Sequence, residues 1–265
     1  MIIDMFFVGI DLAWSKKNCT GIAIIEGNGE YAEICGKPKT VSSDDDIVNY
    51  IKEFVGDDNA LIAIDAPLIV QNKDGRRKAE QLVHMLFHKY GAVAYPSNRN
   101  RLCQENSDKL RGEELSEKLE KENFKHNPYI TKQFEEERKF FEIYPHPSMV
   151  AIFHLREILR YKKKNKRDYE FRWDEFEKYQ CCLKKLSEEN PSLKLPEYIV
   201  EKKVKGLKGK KLKEYEDILD AIFCAYVAYY YWFHPQKCMV LGDMKEGYIV
   251  TSICPEMQDM IKYQS

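Results

Sequence analysis

The feature that most constrains this chain is the run Met5-Phe6-Phe7-Val8-Gly9-Ile10-Asp11-Leu12-Ala13, apolar enough for a strand covered on both faces yet carrying one carboxylate. Stripping an isolated carboxylate of water costs far more than the burial of its neighbours offsets, so Asp11 requires a metal ion, a basic side chain or a set of backbone N–H groups. The anomaly recurs. Leu61-Ile62-Ala63-Ile64-Asp65-Ala66-Pro67-Leu68 is a second buried-strand pattern ending on an acid, closed by Pro67. Phe140-Phe141-Glu142-Ile143-Tyr144-Pro145 is a third. Finally, a helix over about 213–233 would bring Asp217 and Asp220, three residues apart, onto one face.

Between these runs the chain reads as an α/β domain. Strand patterns at 21–26 and 31–35 flank Gly27-Asn28-Gly29, a hairpin turn signal, so the first three strands are expected to be antiparallel. Ser42 or Ser43 caps a predicted helix over 44–55, whose apolar residues recur at helical spacing above an Asp-rich first turn. Further helices are expected at 76–90, 149–159 and 173–189, and a terminal hairpin over 238–252. Residues 98–139 are charge-dense and poor in apolar side chains, which predicts exposed, mobile helices and loops laid over the sheet. The expected organisation is one domain over 1–265 with a charge-rich helical insertion, the added segments falling at about 98–138 and 160–212.

Taken singly, an acid at a strand end is a cap, a turn former or an ion-pair partner. Glu142 pairing with an arginine and Asp217 as an exposed neighbour of Glu214 and Glu216 are the plain readings of those two. Repetition inside apolar runs points further. Parallel neighbouring strands would gather the acids on one sheet edge, where open α/β sheets bind ligands. Acids meeting there repel one another unless a cation holds them, and all-oxygen ligation selects Mg²⁺ or Mn²⁺ over zinc. Two such ions about 4 Å apart activate a water and stabilise the leaving oxygen of a phosphodiester.

Composition bounds the alternatives. A chain of 265 residues with 44% hydrophobic content can bury a substantial core, and a formal charge of -1 gives no global attraction to nucleic acid or an anionic membrane. Eight cysteines lack any C-x-x-C spacing, so neither a zinc site nor a secreted disulfide framework is expected, and a cytoplasmic location is the simplest home. The apolar stretch 218–233 falls short of the roughly 20 residues a bilayer span needs and contains Asp220, so it reads as a core helix.

The wording of four segments, Gly9-Ile10-Asp11-Leu12-Ala13, Ile64-Asp65-Ala66-Pro67-Leu68, Phe141-Glu142-Ile143-Tyr144-Pro145 and Asp217-Ile218-Leu219-Asp220-Ala221 with Cys224-Ala225-Tyr226, resembles the DUF429 family of predicted ribonuclease H-like nucleases. The resemblance implies a ribonuclease H-like fold, a five-stranded mixed central sheet flanked by helices with strands one, four and five parallel. It also implies divalent-metal phosphodiester hydrolysis. By position, Asp11 would bridge two ions, Asp65 would match the fourth-strand acid of the Holliday-junction resolvase branch, and Asp220 the acid on the last helix. Asp217 falls where that branch has a His or Asp and would serve as ligand or water-orienting base; Glu142 belongs to a Glu-x-x-Pro motif. The metal set is thus Asp11, Asp65 and Asp220, and the catalytic set adds Glu142 and Asp217.

Candidate substrate contacts complete the reading. Arg76 or Arg77 would meet a phosphate or neutralise the acids, and His146 would orient water or a phosphate, the plain alternative being a loop histidine held by two prolines. Tyr95 to Arg99 is expected at the cleft rim. The run from Arg160 to Arg167, with Tyr161, Tyr169, Phe171 and Trp173 nearby, combines phosphate-neutralising charge with possible stacking surfaces. A second run, including Lys208, Lys210 and Lys211, leads into the helix of Asp217. A lysine run is usually a solvated face, and the tyrosines and tryptophan of 226–232 read as core. The expected function is a two-metal nuclease acting on DNA or RNA. Alternatives are a phosphoryl-transfer or nucleotide-binding enzyme of the actin-like ATPase class, whose glycine-rich phosphate signatures the chain lacks, and a non-catalytic nucleic-acid-binding protein.

Overall fold

The computed structural model describes residues 4–103 and 109–262. In chain order its elements are β1 (Met5–Asp11), β2 (Thr20–Gly27), β3 (Tyr31–Val41), α1 (Asp44–Phe54), β4 (Ala60–Ile64), α2 (Lys78–Phe87), α3 (Arg99–Leu102), α4 (Arg111–Lys121), β5 (Lys125–His126) and β6 (Arg138–Glu142). There follow α5 (Pro145–Ile152), α6 (Tyr169–Lys185), β7 (Ser192–Lys194), α7 (Glu197–Val200), α8 (Gly209–Phe233), β8 (Cys238–Asp243), β9 (Gly247–Ser252) and α9 (Pro255–Lys262). Seven strands form one sheet in the order β5-β6-β4-β1-β2-β3-β7, and β8 with β9 forms a separate antiparallel ribbon. The β1–β2 and β2–β3 pairings are antiparallel; β1–β4, β4–β6, β5–β6 and β3–β7 are parallel. The five expected strands thus lie at the centre, and the short β5 and β7 extend the two edges.

Both faces of this sheet are covered, which is why its central strands read as continuous apolar runs. Phe7, Ala23, Ile25, Leu61, Ala63 and Phe141 face α8, while Val8, Ile10, Ile22, Ile24, Ile62, Ile64 and Phe140 pack toward α1 and α4. The period-2 alternation sorts one row from the other. Ser43 caps α1: its hydroxyl accepts from Asp46 N at 3.1 Å, and the Asp46 carboxylate accepts from Ser43 N at 3.1 Å. Among the described residues no helix is long and apolar enough to cross a membrane.

Several boundaries differ from expectation. The predicted helix over 149–159 begins earlier, at Pro145, and ends at Ile152, because Pro145 takes the first helical position, where its missing N–H is no loss. Residues 98–139 are not a loose cover. Arg111, Leu115, Ser116 and Leu119 of α4 are buried, and Leu115 and Leu119 complete the core beneath the sheet at i, i+4 spacing. The part of that segment over 104–108 lies outside the described residues. Tyr161, expected on a basic stacking surface, is wholly buried with Phe176, Tyr179 and Leu183 in the core that contains α8.

Candidate functional site

Two glycines set the approach of α8 to the sheet. A Cβ at Gly9 would run into the backbone of Ala221 and Ala225, and one at Gly21 into the backbone of Asp217. Without side chains at these points, α8 lies directly on β1 and β2, close enough for Asp217 and Asp220 to reach the end of β1. Asp11 continues the row of Met5, Phe7 and Gly9 that faces α8, and it sits opposite Gly21 in the β1–β2 register. Asp65 follows β4 immediately, its N–H donating to Ile10 O at 2.8 Å, in the row of Leu61 and Ala63 on the same face. Thus strand period, parallel register and a glycine contact bring Asp11, Asp65, Asp217 and Asp220 together at the C-terminal edge of β1 and β4.

Asp11, Asp65 and Asp217 line a cavity of about 760 Å³; Asp220 lies behind them, fully buried. Burial pushes the Asp65 and Asp217 carboxyls up to about 8, and the charge of Asp11 adds to both shifts. The Asp11 carboxyl is raised too, by burial first, against the opposing pull of Lys162. Asp11 and Asp217 are within hydrogen-bonding reach, so one proton can be shared between them. These groups pay a real desolvation cost that nothing in their immediate surroundings fully offsets.

The cations that face them are lysines. Lys213 Nζ bonds Asp217 from one turn earlier on α8, and it also pairs with Glu216 at 2.9 Å. Lys162 Nζ stands 2.9 Å from Asp220 Oδ2. Asp11, Asp65 and Glu216 raise its affinity for the proton further, so this half-buried lysine is a fixed positive charge. Tyr161 OH donates to Asp220 Oδ1 at 2.6 Å, whereas the buried Oδ2 has no hydrogen-bond partner, the Lys162 contact being off the bonding direction. In the sequence Lys162 is one of a basic run. Its signal lay in Tyr161, an aromatic inside that run whose burial draws the neighbouring lysine inward. Asp217 and Glu216 are not the exposed neighbours of the plain reading: both are buried, and Arg172 holds Glu216 at 3.2 Å.

Glu142, with Arg77 and Glu80, lines a neighbouring part of the same cavity and its charge reaches Asp65, but it turns away from this cluster although it ends the strand beside Asp65. Ile64 pairs with Glu142 in the β4–β6 register, so Asp65 and Glu142 project to opposite faces. There Arg77 Nη2 meets Glu142 Oε1 at 2.5 Å, Arg77 Nη1 donates to Oε2 at 3.0 Å, and Leu68 N donates to Oε2 at 2.9 Å. The remaining Arg77 donors go to Glu80 Oε1, at 2.7 Å from Nε, and to Ile69 O, at 2.8 Å from Nη1. Burial raises the Glu142 carboxyl to about 6 against the pull of Arg77. This is the arginine pairing of the plain reading. Arg77, one of the two candidate phosphate contacts, has its guanidinium committed to protein groups, and Arg76 is exposed outside the cavity lining.

His146 lines the cavity with its buried Nδ1 lacking a hydrogen-bond partner, and burial lowers its imidazole to about 3, so the ring is neutral. At the mouth stand the exposed rings of Trp14 and Tyr95. The Arg101 guanidinium lies 6.0 Å from the first ring and 5.2 Å from the second, and Lys164 lies 5.7 Å from Tyr95. Lys17, Arg167 and Lys210 also line this opening. Lys208 instead covers Tyr169 and Trp173, at 5.5 and 5.8 Å, and Lys211 is exposed at the start of α8.

The donor chemistry suits a hard divalent cation: three carboxylates held above their ordinary range open on the cavity, and a fourth, Asp220, is buried behind them with Lys162 but no hydrogen bond at its Oδ2. In the arrangement shown, no three His, Cys, Asp or Glu side chains among the described residues converge as a ready ligand set; an ammonium group stands among them instead. Searches of curated proteins and of solved structures found no match. The family model for the protein of unknown function DUF429 matches residues 9–246, and the chain therefore belongs to the DUF429 family.

Proposed function

We propose that this protein is a ribonuclease H-like, divalent-metal-dependent nuclease that hydrolyses phosphodiester bonds of DNA or RNA. The observation that carries the reading is the meeting of Asp11, Asp65 and Asp217 in one cavity at the C-terminal edge of parallel strands, backed by Asp220. The order of an antiparallel three-stranded start, a helix, a parallel fourth strand and a late acid-bearing helix on the sheet supports the fold assignment. Basic and aromatic groups at the mouth support a polyanionic substrate with exposed bases.

In this reading Asp11 is the central ligand with Asp65 beside it, Asp217 acts as ligand or as the group that orients water, and Asp220 backs the set from behind the cavity wall. Mg²⁺ or Mn²⁺, when bound, supplies Lewis acidity toward the phosphate and the water. Glu142 and Arg77 brace the loop after β4, through Leu68 N and Ile69 O, and so fix the backbone beside Asp65. Neutral His146 offers a ring nitrogen to water or a phosphate oxygen. Lys17, Lys164, Arg167 and Lys210 neutralise the nucleic-acid backbone at the opening.

The test is cleavage of single-stranded, duplex and branched DNA and RNA with Mn²⁺, wild type against Asp11→Asn. Loss of a central charge-stabilising group is expected to lower the rate about 100-fold or more. Cleavage that survives the substitution, or ATP turnover in place of cleavage, would overturn the reading.

A further inference from the structure

We infer that Lys162 is a resident cation of the acid cluster, so that the site takes one divalent ion rather than two. The inference rests on the metal-dependent reading above and narrows it. An ordinary surface lysine swings freely on a four-carbon stem. Lys162 does not belong to a free segment: the three consecutive carbonyls around it are each held by an arginine. Arg167 Nη1 donates to Arg160 O and to Lys162 O, each at 3.1 Å, and Arg172 Nε donates to Tyr161 O at 2.7 Å. The ring of Tyr161 packs 4.9 Å from Tyr179 and 5.3 Å from Phe176, while its hydroxyl bonds Asp220. Arg160 N donates to Glu175 at 2.5 Å. The segment is thus pinned on both sides of the lysine, and the pin delivers Nζ to Asp220 Oδ2, among the described residues the one buried carboxylate oxygen without a hydrogen bond.

Charge balance agrees. Glu216 is matched by Arg172, which leaves Asp11, Asp65, Asp217 and Asp220 facing Lys162 and Lys213. The fully ionised cluster then lacks two positive charges, the charge of one divalent ion. Asp11, Asp65 and Asp217 face the cavity and are open to such an ion; Asp220 is enclosed behind them, held by Tyr161 OH and Lys162 Nζ. Lys162 itself lines the cavity, where its ammonium would lie beside a phosphate bound by the same ion.

The experiment is a calorimetric Mn²⁺ titration of the full chain, with electron paramagnetic resonance of the bound ion, on wild type, Lys162→Met and Lys162→Arg. Wild type and Lys162→Arg are expected to take up one equivalent with an uncoupled Mn²⁺ spectrum. Lys162→Met, which keeps the length and loses the charge, is expected to take up two, with the spin coupling of close ions. Two equivalents in wild type would overturn the inference while leaving a metal-dependent nuclease standing, and the wild-type result needs no variant to fold. One equivalent in Lys162→Met, folded by circular dichroism, would overturn it also. No Mn²⁺ uptake by wild type would overturn the metal-dependent reading itself, and this inference with it.

Discussion

Two groups of buried and half-buried acids line neighbouring parts of one cavity, and they are built on opposite principles. Around Arg77, Glu142 and Glu80 are met by a guanidinium whose donors are all taken up, with Leu68 N adding a further bond. Around Asp11, carboxyls outnumber cations, three are pushed up, and Asp220 Oδ2 goes without a hydrogen bond. A matched pair of this kind fixes backbone. A cluster left short of positive charge is a place where a cation binds, and this contrast separates Glu142 from Asp65 although both end neighbouring strands.

The comparison breaks hardest at Arg77. Arg77→Met leaves Glu142 and Glu80 buried without their partner, and unfolding in denaturant should show a loss of about 3–5 kcal/mol. An unchanged midpoint would mean that the group is no structural anchor. The acid cluster should respond in the opposite sense. Asp65 and Asp217, held at about 8, keep protons in the folded chain between roughly pH 4 and 8, where the unfolded chain has released them. The folded state then binds more protons, so metal-free stability is greatest below pH 4 from these groups and falls as pH rises through 8. The slope is at most about 1.4 kcal/mol per pH unit for each group, and less where protons are shared. Asp11→Asn removes a repelling charge from both, so it should flatten the slope and leave metal-free stability at pH 8 equal or slightly higher, read from melting curves. A large loss of stability in that variant would instead make Asp11 an ion-pair anchor.

Much of this arrangement was legible in the chain. The acids inside apolar runs marked the sheet edge, because a strand buried on both faces has no place for an unpaired charge such as Asp11 or Asp65, and the i, i+3 spacing placed Asp217 with Asp220. What was not legible depends on register and tertiary contact. Glu142 resembles Asp65 in sequence, but the β4–β6 pairing aligns it with Ile64, and a one-residue offset reverses the face. Lys162 lies in a run of like charges whose composition suggests solvent; only the burial of Tyr161 turns it inward. The roles of Gly9 and Gly21 appear only once α8 is seen against them. The five central strands are legible as apolar runs and a hairpin turn signal, and their assembly into one five-stranded sheet only through the family resemblance, whereas β5 and β7 are two and three residues long and carry no pattern of their own.

The most direct test of the contrast between the two acid groups is Mn²⁺ affinity measured on wild type, Asp11→Asn and Glu142→Gln under one set of conditions. Asp11→Asn is expected to abolish measurable binding, while Glu142→Gln, once shown to be folded, keeps it within a few-fold of wild type. Binding that survives in Asp11→Asn and disappears in folded Glu142→Gln would contradict that contrast.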